Sequence, residues 1–171
     1  MKSRRYLGNL ALVVAVFAGL QWWQTRGVPS GPAPDMAVSV VQADGRVVAT
    51  SLAQWRAQYP GQAVAVHFWA EWCPICRTEE GSITRLGRDW PVITVAMRSG
   101  DAPRVLRHMR QRGLFWPAVV DTDGVITSSH GFQAVPAFLV VDAHGQIRTP
   151  TVGYTTELGM RLRLLWVRLF T

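Results

Sequence analysis

The chain opens with an apolar run and then alternates strand-length apolar stretches with helical stripes. Leu7–Trp23 is 17 residues long and interrupted only by Asn9 and Gln21. Lys2, Arg4 and Arg5 precede it and Arg26 follows. A bilayer-spanning helix needs about 20 residues, so this run predicts a short membrane anchor. Trp22 and Trp23 stand where interfacial aromatics belong, and the basic flank predicts a cytoplasmic tip. A cleaved signal peptide is the competing reading, but Gln21-Trp22-Trp23-Gln24 lacks the small residues of a cleavage site. Residues 1–26 are therefore read as tip and anchor. Residues 27–35, rich in Gly, Pro and Ser, form a linker, and 36–171 a folded domain.

Within the domain, Val38–Val41 and Arg46–Ala49 flank Asp44-Gly45, which signals a hairpin. Ser51 caps a short helix through Gln58, with Leu52 and Trp55 sharing a face. Ala63–Trp69 is apolar on both faces except at His67, the pattern of a central buried strand. After Cys73 the spacing becomes helical: Cys76, Glu79, Ile83, Leu86 and Trp90 form one stripe, and Pro91 stops it. Val92–Met97 reads as a second buried strand. Asp101 caps a helix through Arg112, with Pro103 in its first turn and Gly113 at its end. Pro117–Val120 is a short strand. Val125–His130 fits a short helix or an edge strand equally. Ala137–Val141 and Gln146–Val152 form a hairpin across Asp142–Gly145. Thr155 or Thr156 caps a last helix to about Leu169, with Leu158, Leu162, Leu165 and Leu169 on one face. Strand–helix–strand crossovers followed by a hairpin and a helix predict an α/β fold, a mixed sheet with helices on both faces.

Charge adds little to this picture. The net charge is +7, but from Asp35 onward fourteen arginines against eleven carboxylates leave +3. Arg104, Arg107, Arg110 and Arg112 cluster on one helix. No aromatic interleaving or nucleic-acid motif accompanies them, so a solvated helix face is expected and no nucleic-acid partner. The two cysteines matter more. Three residues apart, they cannot staple distant parts of the chain, and a structural zinc site needs four Cys or His ligands. His67, His108, His130 and His144 are scattered, so no metal site is expected.

A strand feeding a helix that begins with C-x-x-C makes a reactive dithiol. The i, i+3 spacing brings Cys73 and Cys76 within reach of a disulfide. Free N–H groups and partial positive charge at the helix start favour a thiolate. Cys73 is therefore expected as the exposed, low-pKa nucleophile and Cys76 as the shielded resolving thiol. Between them, Pro74 and Ile75 can donate neither a hydrogen bond nor a charge to the Cys73 thiolate. Glu79 lies on the inner stripe beside Cys76, where a carboxylate is costly unless it has a partner or a task; it either serves the thiols or snorkels out. His67 interrupts the apolar strand. It is either a core histidine bonded to backbone or a base that works near neutral pH.

W-A-E-W-C-P-I-C-R-T-E, with Ala134-Val135-Pro136-Ala137-Phe138-Leu139-Val140-Val141-Asp142 downstream, resembles thioredoxin-like proteins. The similarity is strongest to their membrane-anchored bacterial branch, which holds the cytochrome c maturation (TlpA/ResA-type) thioredoxins and the suppressor of copper sensitivity protein D. It covers roughly Asp35 to the end. The resemblance implies a thioredoxin-like fold preceded by one transmembrane helix, with Val92–Val120 carrying the extra helix–strand unit of that branch. It makes Val135-Pro136 the cis bond that faces the dithiol. It implies catalytic roles for Cys73, Cys76, Pro136 and Glu79, with His67 where ordinary thioredoxins have a buried Asp. Trp72, Pro74, Ile75 and Val135 would meet the substrate. The absence of a His between the cysteines argues against an extreme oxidant.

The resulting expectation is a single-pass protein of the bacterial inner membrane with its catalytic domain in the periplasm. It would use the Cys73–Cys76 redox-active disulfide and no other cofactor to reduce or isomerise protein disulfides in copper or redox stress. A DsbD-type transmembrane thiol relay would supply electrons. Reduction of apocytochrome c for haem attachment is one alternative. From a different class, a Cu(I)-binding module is another, since two thiolates can hold that ion.

Overall fold

The computed structural model describes residues 2–42 and 44–171. Seven strands form one mixed sheet in the order β2-β1-β5-β4-β3-β6-β7. They are β1 (Ala37–Val41), β2 (Val47–Ser51), β3 (Val64–Trp69), β4 (Val92–Met97), β5 (Ala118–Asp121), β6 (Ala137–Val141) and β7 (Ile147–Val152). The six helices are α1 (Lys2–Thr25), α2 (Leu52–Arg56), α3 (Pro74–Asp89), α4 (Ala102–Arg112), α5 (Val125–Ser129) and α6 (Glu157–Phe170). β3, β4 and β5 run parallel, joined by the crossover helices α3 and α4. β6 returns antiparallel to β3, and β1 is antiparallel to β5.

β3 sits between β4 and β6 and every residue in it is buried. Its side chains alternate between two cores, as the pleat requires. Ala65 and Trp69 pack with Cys76, Ile83 and Leu86 of α3, Val105 and Met109 of α4, and Met160, Leu164 and Val167 of α6. Val64, Val66 and Phe68 pack on the other face with Trp55 of α2 and Phe132. His67 shares the parity of Ala65 and Trp69, which turns its ring toward α3.

Several ends follow local chemistry. The Asp101 carboxylate accepts from the Arg104 amide, and Gly113 closes α4 in the left-handed conformation. Val125–Ser129 resolves as a helix because the buried Asp121 carboxylate accepts from the Ile126 and Thr127 amides and the Thr127 hydroxyl, 2.6–3.0 Å away. Thr156, not Thr155, caps α6 through the Gly159 amide. The stripe Leu158, Leu162, Leu165 and Leu169 faces outward; the face that meets the core is Met160, Leu164 and Val167.

The segment between α1 and β1 is pinned to the hairpin β6–β7. Ala33 donates to the Gly145 carbonyl and Ile147 to the Gly31 carbonyl, each at 2.8 Å, and Val28 and Ala33 pack on the core. The C-terminal part of α1 lies along β7, where Gln21 Nε2 donates to the Val152 carbonyl at 3.1 Å. The free edge of β7 is thus covered from both ends, which removes a site for stray strand pairing. Among the described residues no helix is long and apolar enough to cross a membrane. The side chains of the basic cluster Lys2, Arg4 and Arg5 lie outside the described residues.

Candidate active site

The dithiol sits where β3 ends and α3 begins. Cys73 is the N-cap of α3, and Pro74 occupies the first turn, where its missing N–H costs nothing. Cys73 and Cys76 are disulfide-bonded with Cα atoms 5.3 Å apart. Cys73 Sγ accepts from the Cys76 amide at 3.1 Å, so one orphan N–H of the helix start points at this sulfur. The Val135–Pro136 peptide is cis, and the Val135 carbonyl oxygen lies 3.8 Å from Cys73 Sγ. That cover changes one expectation: Cys73 is not the exposed cysteine, since both are 3% exposed. What distinguishes them is the amide aimed at Cys73.

Trp72 and Ile75 are more than half exposed beside the disulfide and form its rim with Pro74. The Trp72 indole N–H donates to the Arg98 carbonyl at 3.1 Å. Arg98 has φ of 45°, a left-handed conformation that costs a non-glycine residue energy. Glu71 donates its amide to Ser99 Oγ at 3.0 Å and pairs its carboxylate with Arg104. Glu80 pairs with Arg112 at 2.7 Å. Two of the four clustered arginines therefore tie α4 to the motif. Ser99 and Arg98 carry no sequence signal for this role, because nothing but the fold brings the end of β4 under the motif loop.

Glu79 does not snorkel out. It is 1% exposed, one turn beyond Cys76. Oε1 accepts from the Thr155 amide at 2.5 Å, and Oε2 lies 3.9 Å from Nε2 of the equally buried His67. Glu79 Oε2 and His67 Nδ1 have no hydrogen-bond partner among the described residues. Thr155, read from the sequence only as a cap, supplies the one backbone group that pins this carboxyl. Among the described residues no group of three or more His, Cys, Asp or Glu side chains could hold a metal ion.

A disulfide at a helix N-terminus, faced by the carbonyl that precedes a cis proline, accompanies a match to a known family. The profile described as Redoxin covers residues 31–160. The chain belongs to the redoxin family. A relative in Paracoccus denitrificans, described as a thiol:disulfide interchange protein DsbE homolog, is 30% identical over 154 residues, 84% of this chain and 83% of its own. The thiol:disulfide interchange protein DsbE of Allochromatium vinosum is 29% identical over 150 residues, covering 84% and 79%. The solved structure of a thioredoxin-family thiol:disulfide interchange protein from Chlorobium tepidum shares the fold. It has a TM-score of 0.61 at 22% identity and covers 82% of this chain and 97% of that one. This redoxin is a bacterial thioredoxin-like thiol–disulfide oxidoreductase of the DsbE/ResA type.

Burial gives the redoxin's inner pair opposite titration behaviour. Desolvation pushes Glu79 up to about 7 from an ordinary 4.5, only partly opposed by the Thr155 amide. Desolvation pushes His67 down to about 3 from 6.5, partly opposed by the Ala137 backbone. At neutral pH His67 is uncharged and Glu79 is about half protonated. The fold favours protonated Glu79, so that contribution is complete below pH 4.5 and is lost as pH rises through 7. His67 works the other way: its contribution is present above pH 6.5 and is lost as pH falls toward 3. Measured against Glu79→Gln, the wild type should lose on the order of 3 kcal/mol in denaturant unfolding between pH 5 and pH 8, since the opposing contribution of His67 is common to both. Glu79→Gln keeps an acceptor for the Thr155 amide and should be free of that loss. An unchanged pH slope in the variant would show that Glu79 ionises without penalty.

Proposed function

We propose that the chain is a membrane-tethered, periplasm-facing reductase of protein disulfides, and that its substrate is the cysteine pair of an apocytochrome c. The observation that carries the substrate is Glu79, buried beside Cys76 and held by Thr155. A carboxylate at this place is what the resemblance to the cytochrome c maturation thioredoxins implies. The relatives described as thiol:disulfide interchange proteins support the redox reading over a copper-binding module. Tethering rests on the apolar run Leu7–Trp23 and its basic flank. Leu12, Val16 and Leu20 of α1 are exposed to solvent, which suits a helix meant for lipid.

Each turnover follows from the placement of the thiols. Cys73 thiolate attacks one sulfur of the substrate disulfide, forms a mixed disulfide and expels the other substrate sulfur as a thiolate. Cys76 thiolate then attacks Cys73 Sγ and expels the second substrate sulfur. The Cys73–Cys76 disulfide closes, and two electrons have passed to the substrate. Trp72, Pro74 and Ile75 form the apolar platform on which the substrate lies. The Val135 carbonyl is placed to accept an N–H from an extended substrate chain. Pro136 holds that carbonyl over Cys73. A transmembrane thiol relay of the DsbD type returns the electrons.

The test compares substrates for the reduced full chain. A disulfide peptide carrying C-x-x-C-H should be reduced at least about tenfold faster than insulin, roughly 1.4 kcal/mol of discrimination at the transition state. Equal rates would sink the apocytochrome reading and leave a general reductase. Stoichiometric Cu(I) uptake without turnover would favour the copper module.

A further inference from the structure

α6 has two apolar faces. Met160, Leu164 and Val167 are buried in the core. Leu158, Leu162, Leu165, Trp166 and Leu169 are 43–71% exposed on the opposite side. Their i, i+4, i+7, i+8, i+11 spacing makes one continuous stripe. A helix at the surface of a soluble domain normally carries polar residues there.

On a helix that turns about 100° per residue, the charges flank this stripe rather than interrupt it. Arg161 and Arg168 lie on one side and Arg163 on the other. Glu157, the one acid of the helix, is engaged by Arg85 at 2.6 Å and Arg161 at 2.9 Å. Arg163 and Arg168 meet no carboxylate among the described residues. Arg163 donates to the Gly159 carbonyl at 3.0 Å, and Arg168 lies 5.9 Å over the Trp90 ring.

An apolar stripe bordered by unneutralised arginines is complementary to a surface that is apolar inside and anionic at its edge. A second copy of the chain fits worse, because a two-fold interface would bring the same arginines toward each other. We propose that α6 lies in the headgroup region of an anionic lipid bilayer. Leu158, Leu162, Leu165, Trp166 and Leu169 enter the acyl boundary, and Arg163 and Arg168 reach lipid phosphates. The direction of the helix suits the chemistry. Thr155, just before α6, meets Glu79 near the dithiol, whereas Arg168 meets Trp90 at the far end of α3. The most exposed apolar residues of α6, Leu169 and Phe170, are at that far end, so the bilayer takes the foot of the domain and leaves the Cys73 rim clear. The proposal stands on α6 alone and does not require α1 to span.

The oxidised full chain allows a specific probe, since its own cysteines are locked in the disulfide. Leu165→Cys is labelled with nitrobenzoxadiazole, and Arg107→Cys on the exposed side of α4 serves as control. Vesicles are phosphatidylcholine alone or an equimolar mixture with phosphatidylglycerol. Flotation reports capture, and dye emission reports burial. With phosphatidylglycerol the Leu165 label should brighten several-fold and shift to the blue, and added salt should weaken the effect. The Arg107 label should stay water-like. Leu162→Asp with Leu169→Asp should abolish the shift without lowering the melting temperature, since both sites are exposed. A chain that floats while its Leu165 label stays wet overturns the proposal. So does a shift that needs no lipid and grows with protein concentration, which is self-association. A chain that fails to float on phosphatidylcholine yet buries the label on phosphatidylglycerol supports the α6 proposal and refutes tethering through α1.

Discussion

Cys76→Ala is expected to fill with substrate. Non-reducing gels should show it linked through Cys73 to proteins carrying disulfides, while Cys73→Ala shows no adducts and no exchange above the uncatalysed background. The two sulfurs are equally covered, so exposure does not set this asymmetry. The Cys76 amide points at Cys73 Sγ from 3.1 Å, and Cys73 alone sits at the N-terminal end of α3. An N–H donor and a helix start both favour a thiolate there. Cys76 lies one turn inside, with Glu79 and the core beneath it. Without Cys76 nothing expels the substrate, so the mixed disulfide persists until an outside thiol cleaves it. Adducts found on Cys76 in Cys73→Ala, with none on Cys73 in Cys76→Ala, would reverse the assignment.

The second large effect is expected at Glu79. Cys76 must lose a proton before it attacks the mixed disulfide, and a base is most effective when its pKa lies near the working pH. Glu79, at about 7, meets that condition; His67, at about 3, is too weak a base. His67 is expected instead to act as a positioning residue: buried 3.9 Å from Glu79 Oε2, its neutral ring helps keep water from the carboxyl. Glu79→Gln should slow resolution by up to about 10²–10⁴-fold and abolish the rise in that step through pH 7. Attack by Cys73 should stay near the wild-type rate. His67→Ala should admit water, lower the Glu79 pKa and move the rise to lower pH. Stopped-flow measurement of both steps across pH separates these outcomes. If His67→Ala keeps the wild-type pH profile and loses only thermal stability, His67 is a packing residue. If Glu79→Gln resolves at the normal rate, the proton leaves Cys76 by another path.

Much of this architecture was legible because it is local. Ala63–Trp69 and Val92–Met97 are apolar runs bounded by turn residues, and they became β3 and β4. The caps Ser51, Asp101 and Gly113 act through neighbours within four residues. The dithiol was legible for the same reason: a strand, two cysteines and a helix start lie within one stretch. What the pattern could not supply was contact across the chain. Thr155 and Glu79 are 76 residues apart, and no periodicity connects them. Trp72 depends in the same way on the carbonyl of Arg98. α6 shows a different limit. Its sequence carries two apolar stripes, and helical spacing alone does not say which faces the core. The leucine stripe is the more regular, but Met160, Leu164 and Val167 are the residues that meet α3 and β6.

The segment between α1 and β1 has a kinetic consequence. Eleven loose residues would let a tethered domain rove up to about 40 Å from its anchor. Here Gly31 and Ala33 are bonded to the turn and first residue of the β6–β7 hairpin, so little slack remains. With α1 in a bilayer, the dithiol would hold a fixed altitude above it. Encounters would then become a two-dimensional search along the membrane. Partners that present their cysteines at that altitude would be served, and those above or below it would be missed however well they fit the Trp72 platform.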